Sequence, residues 1–310
     1  MMTGQSLAAG IYVPIPNFFL DNEDVDYATL EKHIAYLANT GISGIIFQGS
    51  TGEAVHLTED ERVAIIKKGK ELIMKYDPSI QVLAGTGAGS ARLTVKLTRD
   101  AADAGAAYAL VLPPSYYKGN MDNQAFYEFY TQVADQSPIP IIIYNYPGVT
   151  QGLDIDAPTL ARLAKHDNIV GIKGTDGNIG KVGYLTEHTR EQNFTLLAGS
   201  ADFFLPALSV GAVGCVPGLA NVMPRSCVEL LRLYQNGDYK AAKELQLKLV
   251  LPDDALARWF GLPGVKAGLE QFAGYGGRCR TPLRSVTNEQ KEKIIQAVSP
   301  AFTIEQSLRK

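Results

Sequence analysis

Eight short apolar runs, separated by stretches with helical spacing, restrict the fold of this chain more than any other feature. Ile11 to Ile15 opens the series. Tyr27 to Asn39 comes next, with Leu30, Ile34 and Leu37 on one face of a 3.6-residue period. Thr40-Gly41 stops that helix, and Gly44 to Phe47 starts the next strand. The unit then recurs. Thr58 with Glu61 reads as a capping box for a second helix, Gln81 to Ala84 as a third strand, and Ala91 to Ala104 as a third helix ending at Gly105. Tyr108 to Leu112, Ile139 to Tyr144, Asn168 to Gly174, Phe194 to Ala198 and Val213 to Val216 supply strands four to eight, with helices at Asn123 to Asp135 and Ala157 to Lys165. Short helical crossovers require parallel strands, and a count of eight favours closure. The predicted fold is α/β, a (β/α)8 TIM barrel.

Beyond Val216 the pattern changes to helices alone: Pro224 to Gln235, Tyr239 to Leu249, Ala255 to Phe260, Val265 to Phe272 and Glu289 to Ala297. We divide the chain into a barrel with the active site over residues 1–235 and a C-terminal helical extension over 236–310. No Ser-, Gly- or Pro-rich linker separates them, so the extension should pack on the barrel. Pro252, Gly261 and Pro263 should punctuate it.

The charge pattern narrows the partners. A formal net charge of -3 without a basic or acidic block leaves no footprint for nucleic acid or an anionic membrane. Cys215, Cys227 and Cys279 lie far apart without a C-x-x-C pair, and His33, His56, His166 and His188 have no ligand spacing, so neither disulfides nor a metal site is expected. Gly85-Thr86-Gly87-Ala88-Gly89-Ser90 comes after a strand, as a dinucleotide loop would. Ser90 stands where the third glycine belongs, however, and no acid ends the next strand at Leu112-Pro113. Met1 to Gly10 shows neither a signal peptide nor an Arg-rich presequence. The expectation is a cytoplasmic protein with a small-molecule substrate and no separate cofactor.

In such barrels the site lies at the carboxyl ends of the strands. Strand six runs Asn168-Ile169-Val170-Gly171-Ile172-Lys173-Gly174, an apolar run closed by a lysine. An ammonium taken into these surroundings loses hydration and its pKa falls, leaving a nucleophilic amine that can form a Schiff base. The plain alternative is a lysine that snorkels into solvent. Gly49-Ser50-Thr51-Gly52-Glu53 after strand two can converge N–H groups and hydroxyls on a carboxylate, with Glu53 read as a structural acceptor for main-chain donors before a helix. Tyr144, in Tyr144-Asn145-Tyr146-Pro147, could move protons.

Taken in order, Gly49-Ser50-Thr51-Gly52-Glu53, Pro114-Ser115-Tyr116-Tyr117, Tyr144-Asn145-Tyr146-Pro147 and Gly171-Ile172-Lys173 resemble the dihydrodipicolinate synthase and N-acetylneuraminate lyase superfamily of class I pyruvate aldolases. The resemblance runs from about Gly10 to beyond Thr281. It implies that Lys173 forms the Schiff base with pyruvate or the 2-oxo end of a substrate and that Tyr144 is the acid/base. It further implies that Ser50 and Thr51 bind the carboxylate and link Tyr144 to a tyrosine lent by a neighbouring subunit, with Gly49 beside them among the substrate-binding residues. Tyr116 is the best match for that tyrosine, with Tyr117 as fallback, in a homotetramer. Val216 falls where a main-chain carbonyl faces the lysine, and Thr175, Gly199 and Ser200 fall along the substrate.

Two departures bear on the substrate. Val149 occupies the stretch where dihydrodipicolinate synthases carry an arginine, which speaks against lysine biosynthesis. Gly199-Ser200-Ala201-Asp202 keeps only part of the acidic set of sialic acid lyases. Gly171 to Gly177, Leu197 to Ser200, Gly211 to Val222 and Tyr275 to Pro282 resemble fungal 2-keto-3-deoxy-L-galactonate aldolase and eukaryotic 4-hydroxy-2-oxoglutarate aldolase. Uncharged Val149, Thr175 and Ser200 favour a polyol tail, hence the first of these. A cation for a second carboxylate would have to come from Arg225, Lys181 or another subunit. A barrel that binds a 2-oxo acid without catalysis is the alternative of another class, and the presence of both Lys173 and Tyr144 argues against it.

Overall fold

Each strand pairs in parallel with its sequence neighbours, and the eighth returns to the first, in the computed structural model, which describes residues 7–309. The strands are β1 (Gly10–Pro14), β2 (Gly44–Phe47), β3 (Gln81–Gly85), β4 (Tyr108–Val111), β5 (Ile141–Asn145), β6 (Ile169–Gly174), β7 (Thr195–Ala198) and β8 (Gly214–Cys215). Around them lie α1 (Tyr27–Ala38), α2 (Glu59–Tyr76), α3 (Ala91–Asp103), α4 (Asn123–Gln136), α5 (Ala157–Leu163), α6 (Ile179–His188), α7 (Phe204–Ser209) and α8 (Pro224–Gln235). The (β/α)8 barrel expected from the alternation is the fold found. Part of the Met1 to Gly10 stretch lies outside the described residues. No described helix is long and apolar enough to cross a membrane.

Neither α6 nor α7 was expected from the sequence. The first contains Gly180 and Gly183, which weaken a helical signal, and the second spans only six residues around Pro206. Asn178 nonetheless caps α6 by accepting from the Lys181 N–H.

The apolar residues fall into two layers, one inside the barrel and one between strands and helices. Ile142 and Tyr144 of β5 face inward while Ile141 and Ile143 pack outward, the regular alternation of a strand. Strand β6 breaks it. Val170 faces inward, yet Ile172, two residues on, packs outward. The ladder explains this, because Ile141 pairs with Ile169 and Ile142 with Gly171, leaving Val170 as an extra residue. Such a bulge re-aims the side chains beyond it. Lys173 therefore turns into the barrel as the register partner of Tyr144. A side chain at Gly171 would meet the Thr195 carbonyl oxygen at 2.5 Å, so the bulge needs glycine there.

The extension comprises α9 (Tyr239–Asp253), a π-helical turn over Asp254–Arg258, α10 (Gly261–Ala273) and α11 (Asn288–Ser307). Two expected stops fail, since Pro252 lies inside α9 and Pro263 within α10, and α11 continues through Pro300 well beyond the expected end at Ala297. A proline forfeits one backbone bond, and packing on both sides keeps these helices going. Their continuation has uses: buried Glu305 accepts from the Arg225 and Ser226 N–H groups, 3.1 and 2.8 Å away, and so caps α8, which lacks a side-chain cap of its own.

Glu53 is structural, but its partners differ from those expected. It sits buried with φ 50°, accepting from Lys266 Nζ of α10 at 2.7 Å and from the Arg280 N–H at 3.0 Å, with His56 Nδ1 at 2.9 Å. The turn after β2 is thus fastened to the extension.

Candidate active site

A cavity of about 730 Å³ opens at the carboxyl ends of the strands, and Ser50, Thr51, Tyr144, Lys173, Thr175, Gly199, Ser200 and Val216 all line it. Gly49 does not reach it, its carbonyl instead accepting from the Gly52 N–H at 3.0 Å. Tyr116 and Tyr117 stand on the loop after β4, 81% and 72% exposed, outside this chain's own cavity.

Three lysines are buried among the described residues, and their partners separate them. Lys181 meets Asp154 and Asp176 at 2.5 and 2.6 Å, and Lys266 meets Glu53. Lys173, 4% exposed, has no carboxylate of the described residues within ion-pair distance. Burial drives its pKa down to about 7, against a smaller opposing pull from Cys215. Such a shift represents on the order of 5 kcal/mol disfavouring the ammonium. Its nitrogen lies 3.9 Å from the centre of the Tyr144 ring.

Burial raises the Tyr144 pKa to about 12, against a smaller opposing pull from the neighbouring Ser50 and Thr175 hydroxyls. The phenol is the resting form. A permanent cation formed on Lys173 would lower this pKa and release the proton-accepting phenolate, so the pair is poised to act in sequence. Tyr146 stacks on Tyr144 at 5.7 Å and fixes the ring. Gly199 has a steric reason: a side chain there would lie 1.9 Å from the Thr175 hydroxyl. Asn145, buried behind the motif, donates to Asp154 at 2.7 Å and Asp176 at 2.9 Å, the same carboxylates that hold Lys181. That ties Lys181 up, and Arg225 lies against Glu305 away from the cavity. Neither cation serves the site.

The cation at the cavity is Arg258, on the π-helical turn. Its Nη2 lies 2.5 Å from Asp202 Oδ2 and its Nε 3.5 Å from Asp254 Oδ1. Beneath, the Ser200 hydroxyl donates to fully buried Asp253 at 2.5 Å, so Ser200 offers lone pairs rather than its proton to the cavity. Burial raises the Asp253 carboxyl to about 6. The sequence held one clue to this group: the charges of Asp253, Asp254 and Arg258 interrupt an otherwise apolar helical run. The glycines after β3 serve packing instead, a side chain at Gly85 meeting the Gln48 carbonyl oxygen at 2.1 Å and one at Gly87 meeting Leu112 N at 2.6 Å.

The profile of the dihydrodipicolinate synthetase family matches residues 7–301. The chain belongs to that family. Among family relatives it is 42% identical to the probable mitochondrial 4-hydroxy-2-oxoglutarate aldolase of Emericella nidulans, over 99% of both chains. It is 39% identical to the L-threo-3-deoxy-hexylosonate aldolase of Hypocrea jecorina, over 99% of this chain and all of the relative. Among solved family structures, the chloride-inhibited dihydrodipicolinate synthase of Acinetobacter baumannii complexed with pyruvate superimposes with a TM-score of 0.89 at 29% identity, over 96% of this chain and 99% of the other.

Proposed function

We propose that this chain is a class I aldolase that cleaves a 2-oxo-3-deoxy sugar acid, 2-keto-3-deoxy-L-galactonate (L-threo-3-deoxy-hexulosonate) before others, to pyruvate and L-glyceraldehyde. The observation that carries the reading is a buried, unpaired Lys173 in register with Tyr144 at the base of one cavity. The neutral amine adds to the C2 carbonyl and water leaves, forming a protonated imine. Tyr144 takes the C4 hydroxyl proton, the C3–C4 bond breaks, and its electrons run into the imine to give an enamine and the free aldehyde. Protonation at C3 and hydrolysis release pyruvate and restore Lys173. The names of the relatives support both the aldolase class and the substrate, which would place the chain in D-galacturonate catabolism.

The pKa of Lys173 sets a pH dependence. A lysine depressed to about 7 is charged and inert below that value and neutral above it. Trapping of the pyruvate imine with cyanoborohydride should therefore rise roughly tenfold between pH 6 and pH 8. A flat profile across that range would remove the depressed amine from the mechanism.

Exposed Tyr116 and Tyr117, with Val55 at 91% exposure, support a homo-oligomer, a tetramer in our reading, in which Tyr116 completes a neighbour's site. Three free, buried thiols suit a reducing compartment, and we keep the cytosol as the proposed location.

A second reading, 4-hydroxy-2-oxoglutarate cleaved to pyruvate and glyoxylate, is favoured by Arg258 at the cavity and by the name of the Emericella nidulans relative. A panel of 2-keto-3-deoxy-L-galactonate, 2-keto-3-deoxygluconate, 4-hydroxy-2-oxoglutarate, N-acetylneuraminate, and pyruvate plus aspartate semialdehyde separates them. One of the first two should give the largest kcat/KM. A clear preference for 4-hydroxy-2-oxoglutarate would transfer the assignment to the second reading.

A further inference from the structure

In the proposed reaction a carboxylate arrives beside Lys173 before any imine exists. Among the described residues that line the cavity, Lys173 and Arg258 are the basic ones. Lys173 is neutral when it reacts, and Arg258 is engaged by Asp202. Ser50 and Thr51 offer hydroxyls and N–H groups, which bind a carboxylate without balancing its charge. A positive charge stands behind them. Arg62 of α2 is 8% exposed, and no carboxylate of the described residues lies within ion-pair distance of it. Its guanidinium donates through Nη2 to the Gly85 carbonyl at 2.6 Å and through Nη1 to the Ala54 carbonyl at 3.1 Å. These carbonyls bracket the turn that carries Ser50 and Thr51. Ala54 follows it, and Gly85 lies against its start, where an added side chain would meet Gly49 N at 3.1 Å. The Arg62 carbonyl in turn accepts from Gln48 Nε2 at 2.5 Å. Gln48 and Glu53, at the two ends of the turn, hold φ 58° and 50°, a conformation that non-glycine residues rarely take, so the turn needs such fastening.

The carboxylates around Arg62 are committed elsewhere. Glu59 pulls on the guanidinium from beyond ion-pair distance, but its side chain is half exposed and bonded to Lys96 at 2.6 Å. Glu53 is taken by Lys266 and the Arg280 N–H. A guanidinium stays charged when buried, and a buried charge without an opposite one is unfavourable. A substrate carboxylate seated on the turn supplies the missing anion, and in a dry interior their attraction reaches further than it would in water. We infer that Arg62 is a positioning residue that supplies, from behind the Ser50–Thr51 turn, the positive charge that draws the carboxylate of the 2-oxo acid into place beside Lys173. The inference deepens the aldolase reading and rests on it. It also divides the labour of the turn: hydroxyls and N–H groups give shape, and Arg62 gives charge. A ketone with an uncharged ester in place of the carboxylate uses the first and not the second.

The test measures borohydride trapping of pyruvate and of methyl pyruvate in wild type, Arg62→Gln and Arg62→Lys, and follows the ratio of the two rates at low ketone concentration. Arg62→Gln should lower pyruvate capture about tenfold, through the concentration that half-saturates trapping, and leave capture of the ester within about threefold. Arg62→Lys keeps the charge without the fork, so its ratio should stay within about threefold of wild type even where both rates fall. An unchanged ratio in Arg62→Gln would overturn the inference. Equal losses on both ketones would mark Arg62 as a structural prop, and no loss on either would leave it without a part. A ratio that falls as far in Arg62→Lys as in Arg62→Gln would overturn it as well, since charge would then not be what matters. Should Arg62→Gln fail to fold, Glu59→Gln takes its place: this exposed change removes the opposing pull and should raise the ratio about twofold, and an unchanged ratio there would count against the inference in the same way. Wild type that traps no pyruvate would sink the aldolase reading itself, and the inference with it.

Discussion

Lys173→Ala is expected to abolish covalent capture of pyruvate and to lower turnover by about 10⁴-fold or more, the scale on which loss of a covalent nucleophile is felt. The size reflects the absence of a substitute. Of the other buried lysines, Lys181 is locked between Asp154 and Asp176 and Lys266 against Glu53, and neither lines the cavity. Wild-type enzyme treated with pyruvate and borohydride should gain the mass of a reduced pyruvyl adduct on the peptide containing Lys173. The variant should gain none. Label on another lysine, or substantial turnover in the variant, would remove Lys173 from the centre of the mechanism. Activity lost in chelator and restored by zinc would favour metal-dependent chemistry instead.

The second large effect separates proton transfer from capture. Tyr144→Phe keeps the ring that packs beside Lys173 and against Tyr146 while deleting the hydroxyl. Imine trapping should survive, and turnover should fall by ~10²-fold or more because the C4 hydroxyl loses its base. Thr51→Ala is the counterpart: it should weaken capture of pyruvate, since Thr51 lines the cavity on the turn assigned to the carboxylate. Wild-type turnover in Tyr144→Phe would withdraw the shuttle.

The barrel was legible from residues alone because eight apolar runs and their helix stops are local signals. Part of the cavity lining was legible for a related reason, since Ser50, Thr51, Tyr144, Lys173, Thr175, Gly199 and Ser200 stand at or just beyond strand ends. Local signals also set the limits. The bulge at Val170, which turns Lys173 inward, is defined by the pairing of β6 with β5, and its one trace in the sequence, Gly171 inside an apolar run, does not fix the register. Arg258 was hidden because it comes from a π-helical turn of the extension, more than fifty residues after Asp202, its ion-pair partner. Lys181 and Arg225 looked available as distal cations because a sequence displays charges without their partners, and both are already paired in the fold.

The bond between Glu53 and Lys266 bears on how such enzymes can be recombined. Glu53 closes the turn that carries Ser50 and Thr51, and Lys266 belongs to α10, beyond the barrel. A gene cut at the apparent boundary near residue 235, with the front half from one relative and the tail from another, divides this pair between two parents. If the incoming tail lacks the lysine, a buried carboxylate is stranded beneath the turn assigned to the substrate carboxylate. The tail is therefore inherited with the chemistry, and a library that shuffles these parts should link positions 53 and 266 as one unit.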